Sequence, residues 1–339
     1  FRTPLSRTAS ATSAVMSRTA SLPSVRSCRS SWNDFIGGNP IHGSLRSTLA
    51  LEVENVVMRR PTLDDAGGVA ALLAARDRAD FGEDDPIGFT GDWLREWWAM
   101  DEPALATDAW IALSGDEIVG YARANREGDV ANLADEACVH PEARGLGIGS
   151  RLLDEAERWA RENGLPRFHV HVVNDGGRKL AMQRGHELVR FFWRMEIDMS
   201  EEPRVPEAPA GMTIRDYRPG ADDAALHAMH QEAFAEHWEF MPSAIDEWLK
   251  WRHTRSDYHP AFWQIAEEHG EIAGAALCFG EDRIGWVLDL AVRPASRRAG
   301  LGLALLESGF AALWRRGYPR VGLEVDSENE TGATRLYET

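Results

Sequence analysis

Cysteine is nearly absent from this chain: its 339 residues hold three, Cys28, Cys138 and Cys278. They are isolated from one another and lack the paired spacing that a disulfide framework or a zinc site requires, so no metal and a reducing, cytoplasmic setting are expected. Long apolar runs are missing too. No stretch of about 18 apolar residues occurs, which excludes a membrane-spanning helix. Positive charge is scarce, with 37 Lys and Arg against 54 Asp and Glu and a formal charge of −17. Residues 1–50 hold six Arg against one acid, Asp34, which leaves −22 for the rest. So acidic a body should not bind nucleic acid non-specifically.

Residues 1–55 are rich in Ser, Arg and Thr and show no apolar periodicity. Such a segment does not repay the entropy of ordering and is expected to be disordered. Its composition is like that of an organellar transit peptide, whereas Phe1 in place of Met points to upstream sequence that is not native to the protein. The remaining length suffices for two domains, each with its own core.

What the chain does have is one signature twice. Val139-His140-Pro141-Glu142-Ala143-Arg144-Gly145-Leu146-Gly147-Ile148-Gly149 returns as Val292-Arg293-Pro294-Ala295-Ser296-Arg297-Arg298-Ala299-Gly300-Leu301-Gly302, with a constant shift of 153. Each copy ends a predicted strand and opens a predicted helix. Glycines let the backbone approach an anion, the unpaired N–H groups of the first helical turn point at it, and the helix dipole favours its charge. Arg144 and Arg297, with Arg298, add cationic forks suited to a pyrophosphate. Neither a dinucleotide G-x-G-x-x-G nor a Walker A loop fits, since Ser150 stands at the third glycine and no Gly-Lys-Ser/Thr follows.

The flanking sequence repeats as well. Met58-Arg59-Arg60-Pro61 with Asp64-Asp65-Ala66 parallels Thr213-Ile214-Arg215-Asp216-Tyr217 with Asp222-Asp223-Ala224, each reading as strand, capped turn and helix. Trp93 and Trp97 match Trp248 and Trp251 on a second helix. A hairpin follows in both halves, with turns at Ser114-Gly115-Asp116 and His269-Gly270. Amphipathic helices follow the two loops. The expected organisation is a first domain over 56–199, a proline-rich linker at 200–211 and a second domain over 212–339.

On these motifs residues 56–339 resemble the GCN5-related N-acetyltransferases, and the tandem arrangement resembles bacterial two-domain members of the mycothiol synthase type. The resemblance implies an α/β (α+β) fold: in each half a mixed, mostly antiparallel, splayed sheet flanked by helices. Acetyl-CoA would enter between the fourth and fifth strands, with its pyrophosphate on the loop. The implied cofactor-binding residues are Val139, Arg144, Gly145, Gly147 and Gly149 in the first half, and Leu290, Val292, Arg297, Arg298, Gly300, Gly302 and Asn329 in the second.

The family commonly places an Asn after the fifth strand and a Tyr in the next helix, with the hydroxyl near the sulfur of CoA. Asn329 and Tyr337 take those places in the second half. In the first half Asn174 is present, but Ala181 aligns with the tyrosine, and a methyl group donates no proton. The resemblance therefore implies an N-acetyltransferase acting on an amine-bearing acceptor, with Tyr337 and Asp289 as catalytic residues of the second half and the first half non-catalytic. Glu136, Glu236, His237 and Glu239 are further candidates for the general base. Trp286 stands where mycothiol synthase-like enzymes carry an acid. His169 and His171 read as packed or surface residues. A CoA-binding regulatory or interaction module without turnover is the competing class, and a ribosomal-protein or antibiotic N-acetyltransferase the competing enzyme. The fold's last two strands are expected between Glu187 and Met199 in the first half. The second half should lack them, which would leave it with an exposed sheet edge and a looser core.

Overall fold

The computed structural model describes residues 10–19, 56–82, 90–100, 102–133, 137–205, 207–255, 257–281 and 284–329. A strand β1 (Ser10–Thr19) precedes the first half. That half comprises β2 (Val56–Arg59), α1 (Ala66–Phe81), α2 (Gly91–Ala99), α3 (Glu102–Asp108), β3 (Ala109–Ser114), β4 (Glu117–Glu127), β5 (Val130–Leu133), β6 (Cys138–Val139), α4 (Ile148–Glu162), β7 (Arg167–Val172), α5 (Asp175–Gln183) and β8 (Glu187–Asp198). The second half runs through β9 (Met212–Asp216), α6 (Asp223–Phe234), α7 (Ile245–His253), β10 (Gln264–Glu268), β11 (Glu271–Glu281), β12 (Ile284–Val292), α8 (Leu301–Trp314) and β13 (Arg320–Asp326). None of the described helices is long and apolar enough to cross a membrane.

The duplication read from the sequence extends to individual side chains. In each half an Arg of the first strand grips the Asp that precedes the first helix. Arg59 takes Asp65 through two bonds of 2.7 Å, and Arg215 takes Asp222 through bonds of 2.7 and 2.8 Å. Each Asp stands at the N-cap position of its helix without a side-chain cap bond, where a negative charge complements the helix dipole.

All strands but β6 follow one another in a continuous sheet, β2-β3-β4-β5-β7-β1-β8-β13-β12-β11-β10-β9, and β6 pairs with β4. Two pairs are parallel, β5 with β7 and β12 with β13. In the second half this pairing stops at Val287 and Leu323, after which β12 runs on to Val292 along β11 and away from β13. A cleft therefore opens at the same place in the plan of each half.

Three expectations need correction. Ser10–Thr19 is a strand inside the sheet, bonded to β7 on one side and β8 on the other. Composition misled because its short apolar core, Ala14, Val15 and Met16, is fully enclosed and two ready strand edges supply its ladder bonds. Between Glu187 and Met199, where two strands were expected, there is one long strand, β8. That strand also pairs along all of β13, from Arg320 opposite Asp198 to Asp326 opposite Phe192. The edge expected to lie exposed in the second half is thus covered by the first half, and Trp193, Met195 and Ile197 pack onto the second core.

Candidate active site

Both loops adopt the geometry their sequence suggests. A 3-10 turn, Pro141–Ala143 or Pro294–Ser296, leads to a glycine in the left-handed region, Gly147 at φ 80° or Gly300 at φ 85°, which caps α4 or α8. The first backbone bonds of these helices run from Arg151 N–H to the Gly147 carbonyl (3.1 Å) and from Ala304 N–H to the Gly300 carbonyl (3.2 Å). The N–H groups of residues 148–150 and 301–303 therefore lie ahead of the helical ladder, as an anion site requires.

Each motif arginine is paired with an acid at or just past the end of the first helix of its half. Arg144 forms a two-pronged pair with Asp80, at 2.7 and 2.8 Å, and its Nε donates to the Val139 carbonyl at 3.4 Å. Asp80 also accepts from Asn174 Nδ2 at 2.9 Å. Arg297 donates to Glu236 (2.9 Å), to the Ala233 carbonyl (3.0 Å) and to the Val292 carbonyl (3.1 Å). Both guanidinium groups thus brace the loop against the preceding strand and the end of the first helix. Arg298, the next residue of the second loop, is exposed.

In the first half a cavity of about 460 Å³ sits beneath the loop. Val139, Arg144, Gly147 and Gly149 line it on one side and Val172 and Asn174 on the other, with Ala181 also in its wall. Asn174 caps α5 by accepting from Gly177 N–H at 2.9 Å. Ala181 is fully buried. Cys138 lies in the same wall, and burial pushes its thiol up to about 12, so it stays protonated.

In the second half β12 carries a bulge. Leu277 opposes Asp289 while Cys278 opposes Val287, which leaves Leu288 as the extra residue, 42% exposed. A bulge re-aims backbone and side chains locally. Just past it, Asp289 turns toward α6 and α7, where Arg252 Nη2 lies 2.7 Å and His230 Nε2 3.3 Å from its Oδ2. Burial alone would raise this carboxyl. The adjacent His230 and the charge of Arg252 outweigh it and hold Asp289 well below the usual carboxylate range.

Leu290 and Val292 follow on the same strand, opposite Ala276 and Gly274. Asn329 lies just beyond β13, its N–H on the Asp326 carbonyl at 3.1 Å. Tyr337 and Glu136 lie outside the described residues. Trp286 packs against Gly322, where a Cβ would come within 2.7 Å of the indole, and the Arg194 guanidinium lies over the same ring at 4.9 Å. His169 is buried, as expected of a packed residue, while His171 lines the first-half cavity. Sequence reasoning missed Asp80, His230 and Arg252. None of them lies in a motif, and only Asp80 had a readable signal, as an acid at the end of a helix that faces a loop arginine.

The chain matches the Acetyltransferase (GNAT) family twice, over residues 73–185 and 224–339. It is 30% identical over 295 residues to a mycothiol acetyltransferase of Catenulispora acidiphila, covering 83% of this chain and 93% of that one. It is 35% identical over 234 residues to a mycothiol acetyltransferase of Streptomyces coelicolor, covering 67% and 74%. Among solved structures, a GCN5-related N-acetyltransferase from Sphaerobacter thermophilus superposes with a TM-score of 0.69 at 32% identity, over 84% of this chain and 90% of that one. A tandem GNAT protein from the clavulanic acid biosynthesis pathway shares the fold, with a TM-score of 0.63 at 18% identity over 84% and 94%.

Proposed function

The chain belongs to the GNAT acetyltransferase family and carries that fold twice, and from this premise we propose that it moves an acetyl group from acetyl-CoA to a primary amine, with the chemistry in the second half. The inequality of the two clefts carries the reading. Ala181, buried in the wall of the first-half cavity, aligns with Tyr337, and a methyl group does not protonate a departing thiolate.

In the second half the amine lone pair attacks the thioester carbonyl carbon. The carbonyl electrons move onto oxygen, stabilised by backbone N–H groups near Leu290 and Val292 beyond the bulge. The carbon–sulfur bond then breaks, and the Tyr337 hydroxyl gives the sulfur its proton. The surplus proton on nitrogen passes to the linked pair His230 and Asp289, directly or through a water. Asp289 is too weak a base to hold that proton alone, so its part is to orient and stabilise the imidazole. Both loops receive acetyl-CoA through the backbone, and turnover requires only the second.

Thiol release from acetyl-CoA, followed with a panel of primary amines, tests this. Gly302→Trp should abolish turnover and Gly149→Trp should preserve it, and the reverse pattern would move the chemistry to the first half. Tyr337→Phe should lower kcat by about 10²-fold, the usual weight of general-acid help. Binding of CoA without release for any amine would make the chain a binding module. A mycothiol-type acceptor is the second reading, favoured by the names of the relatives at 30 and 35% identity. Trp286, packed against Gly322 and Arg194, counts against it.

A further inference from the structure

The segment joining α6 to α7, residues 235–244, is tied to both halves. Near its start Glu236 accepts from Arg297, the brace of the second-half loop. At its end Ser243 is tied back to α6: its N–H donates to Gln231 at 3.1 Å and its carbonyl lies 3.0 Å from His227 Nε2. Between these anchors the chain crosses to the first half. Trp238 stacks on His169, centroids 5.4 Å apart and planes 19° apart, and the Arg190 guanidinium lies over the same indole at 5.4 Å.

Glu239 pairs with Arg167 and lies 3.3 Å from His169 Nδ1. The other arm of Arg167 meets Asp129 at 2.5 Å. Glu239 holds φ 52°, a left-handed conformation that costs a non-glycine residue about 1–2 kcal/mol, so these contacts must hold it there. Arg167 and His169 belong to β7, whose next residues, Val170 to Val172, line the first-half cavity. The loop of one half is thus linked through Arg297, Glu236, Trp238 and Glu239 to a strand of the other.

We propose that Trp238 and Glu239, seated on Arg167 and His169, are positioning residues that hold the acetyl-CoA loop of the second half in its binding geometry through Glu236 and Arg297. Its kinetic consequence rests on the reading that the second half performs the transfer. Neither Glu239 nor Arg167 touches the loop. An effect of either on acetyl-CoA therefore travels through the segment, whereas a contact that only glues the halves together would change stability alone.

The test uses the full chain carrying Gly149→Trp, which leaves the second loop as the CoA site. Calorimetric titration with CoA should show a loss of about fivefold in affinity on Glu239→Ala, the weight of one partly exposed ion pair. Arg167→Ala in the same background should cost about as much, and the two changes together no more than either alone. In turnover, Glu239→Ala should raise KM for acetyl-CoA by the same factor and leave kcat within about twofold. Should Glu239→Ala not fold, Glu239→Gln, which keeps the shape and removes the charge, is expected to show part of the same loss. Unchanged CoA affinity in a folded variant, or single losses that add in the double variant, would overturn the proposal. The titration reads binding without turnover, so it stands even if Gly302→Trp shows that the second half is not the catalytic one.

Discussion

Arg298 takes the backbone conformation that Gly145 takes 153 residues earlier, at φ 65° against 80°. The fold demands a left-handed residue at that point of both loops. Glycine meets the demand freely, whereas an arginine does so at a cost of about 1–2 kcal/mol. Arg298 is exposed, and on the proposed reading of this loop it faces the phosphate. Backbone strain at a ligand loop is a common companion of function.

Replacing Arg298 by Gly should therefore leave stability nearly unchanged, because relief of about 1 kcal/mol is offset by the greater freedom of glycine in the unfolded chain. CoA affinity at the second loop should fall by about threefold to tenfold at low salt, and by less as salt rises. The opposite change, Gly145→Arg, should destabilise by about 1 kcal/mol. Denaturant melts and titrations at two salt concentrations check both.

The pairing of Met195 with Leu323 joins the halves within one ladder. Met195→Pro removes a donor in a central strand and should cost about 3 kcal/mol or more. Because β8 serves both halves, amide protection should fall around both Val170 and Leu323, with one cooperative transition retained. Loss confined to one half would show that the halves melt independently.

Asp289→Asn should destabilise by about 3–5 kcal/mol, because it leaves the buried Arg252 charge without its counter-ion. The native carboxyl titrates below its unfolded value. Its contribution is therefore complete above the unfolded pKa of about 4 and is lost as pH falls through the lower folded value. Since Asp289 is already ionised at neutral pH, Asp289→Asn should lower kcat without removing the neutral limb of its pH profile. Disappearance of that limb would make Asp289 itself the base.

His169 supplies a separate pH dependence. Burial foremost, then the charges of Arg167, His171 and His186, lower its pKa from 6.5 to about 4. Between these values the unfolded chain binds the proton and the folded one does not. Stability is therefore complete above about pH 6.5 and declines as pH falls toward 4. In His169→Phe, which keeps an aromatic face for Trp238, the melting temperature should vary less between pH 7.5 and 5 than in the unaltered protein.

Much of this was legible in the residues. The shift of 153 announced two halves, Pro-x-x-Arg-x-x-Gly-x-Gly placed each helix cap, and the hairpin turns at Gly115 and Gly270 set the order of the strands. These features depend on neighbours along the chain, through left-handed glycines, proline and apolar period, so local sequence suffices to specify them. Tertiary structure decided the rest. That Arg144 would pair with Asp80, that Asp289 would be held by His230 and Arg252, and that Trp238 would cross to His169 all depend on groups dozens of residues apart meeting at short range. Ser10–Thr19 shows this most plainly: its composition argues against order, and only the two strand edges of β7 and β8, brought side by side by the fold, supply the hydrogen bonds and apolar cover that make it a strand.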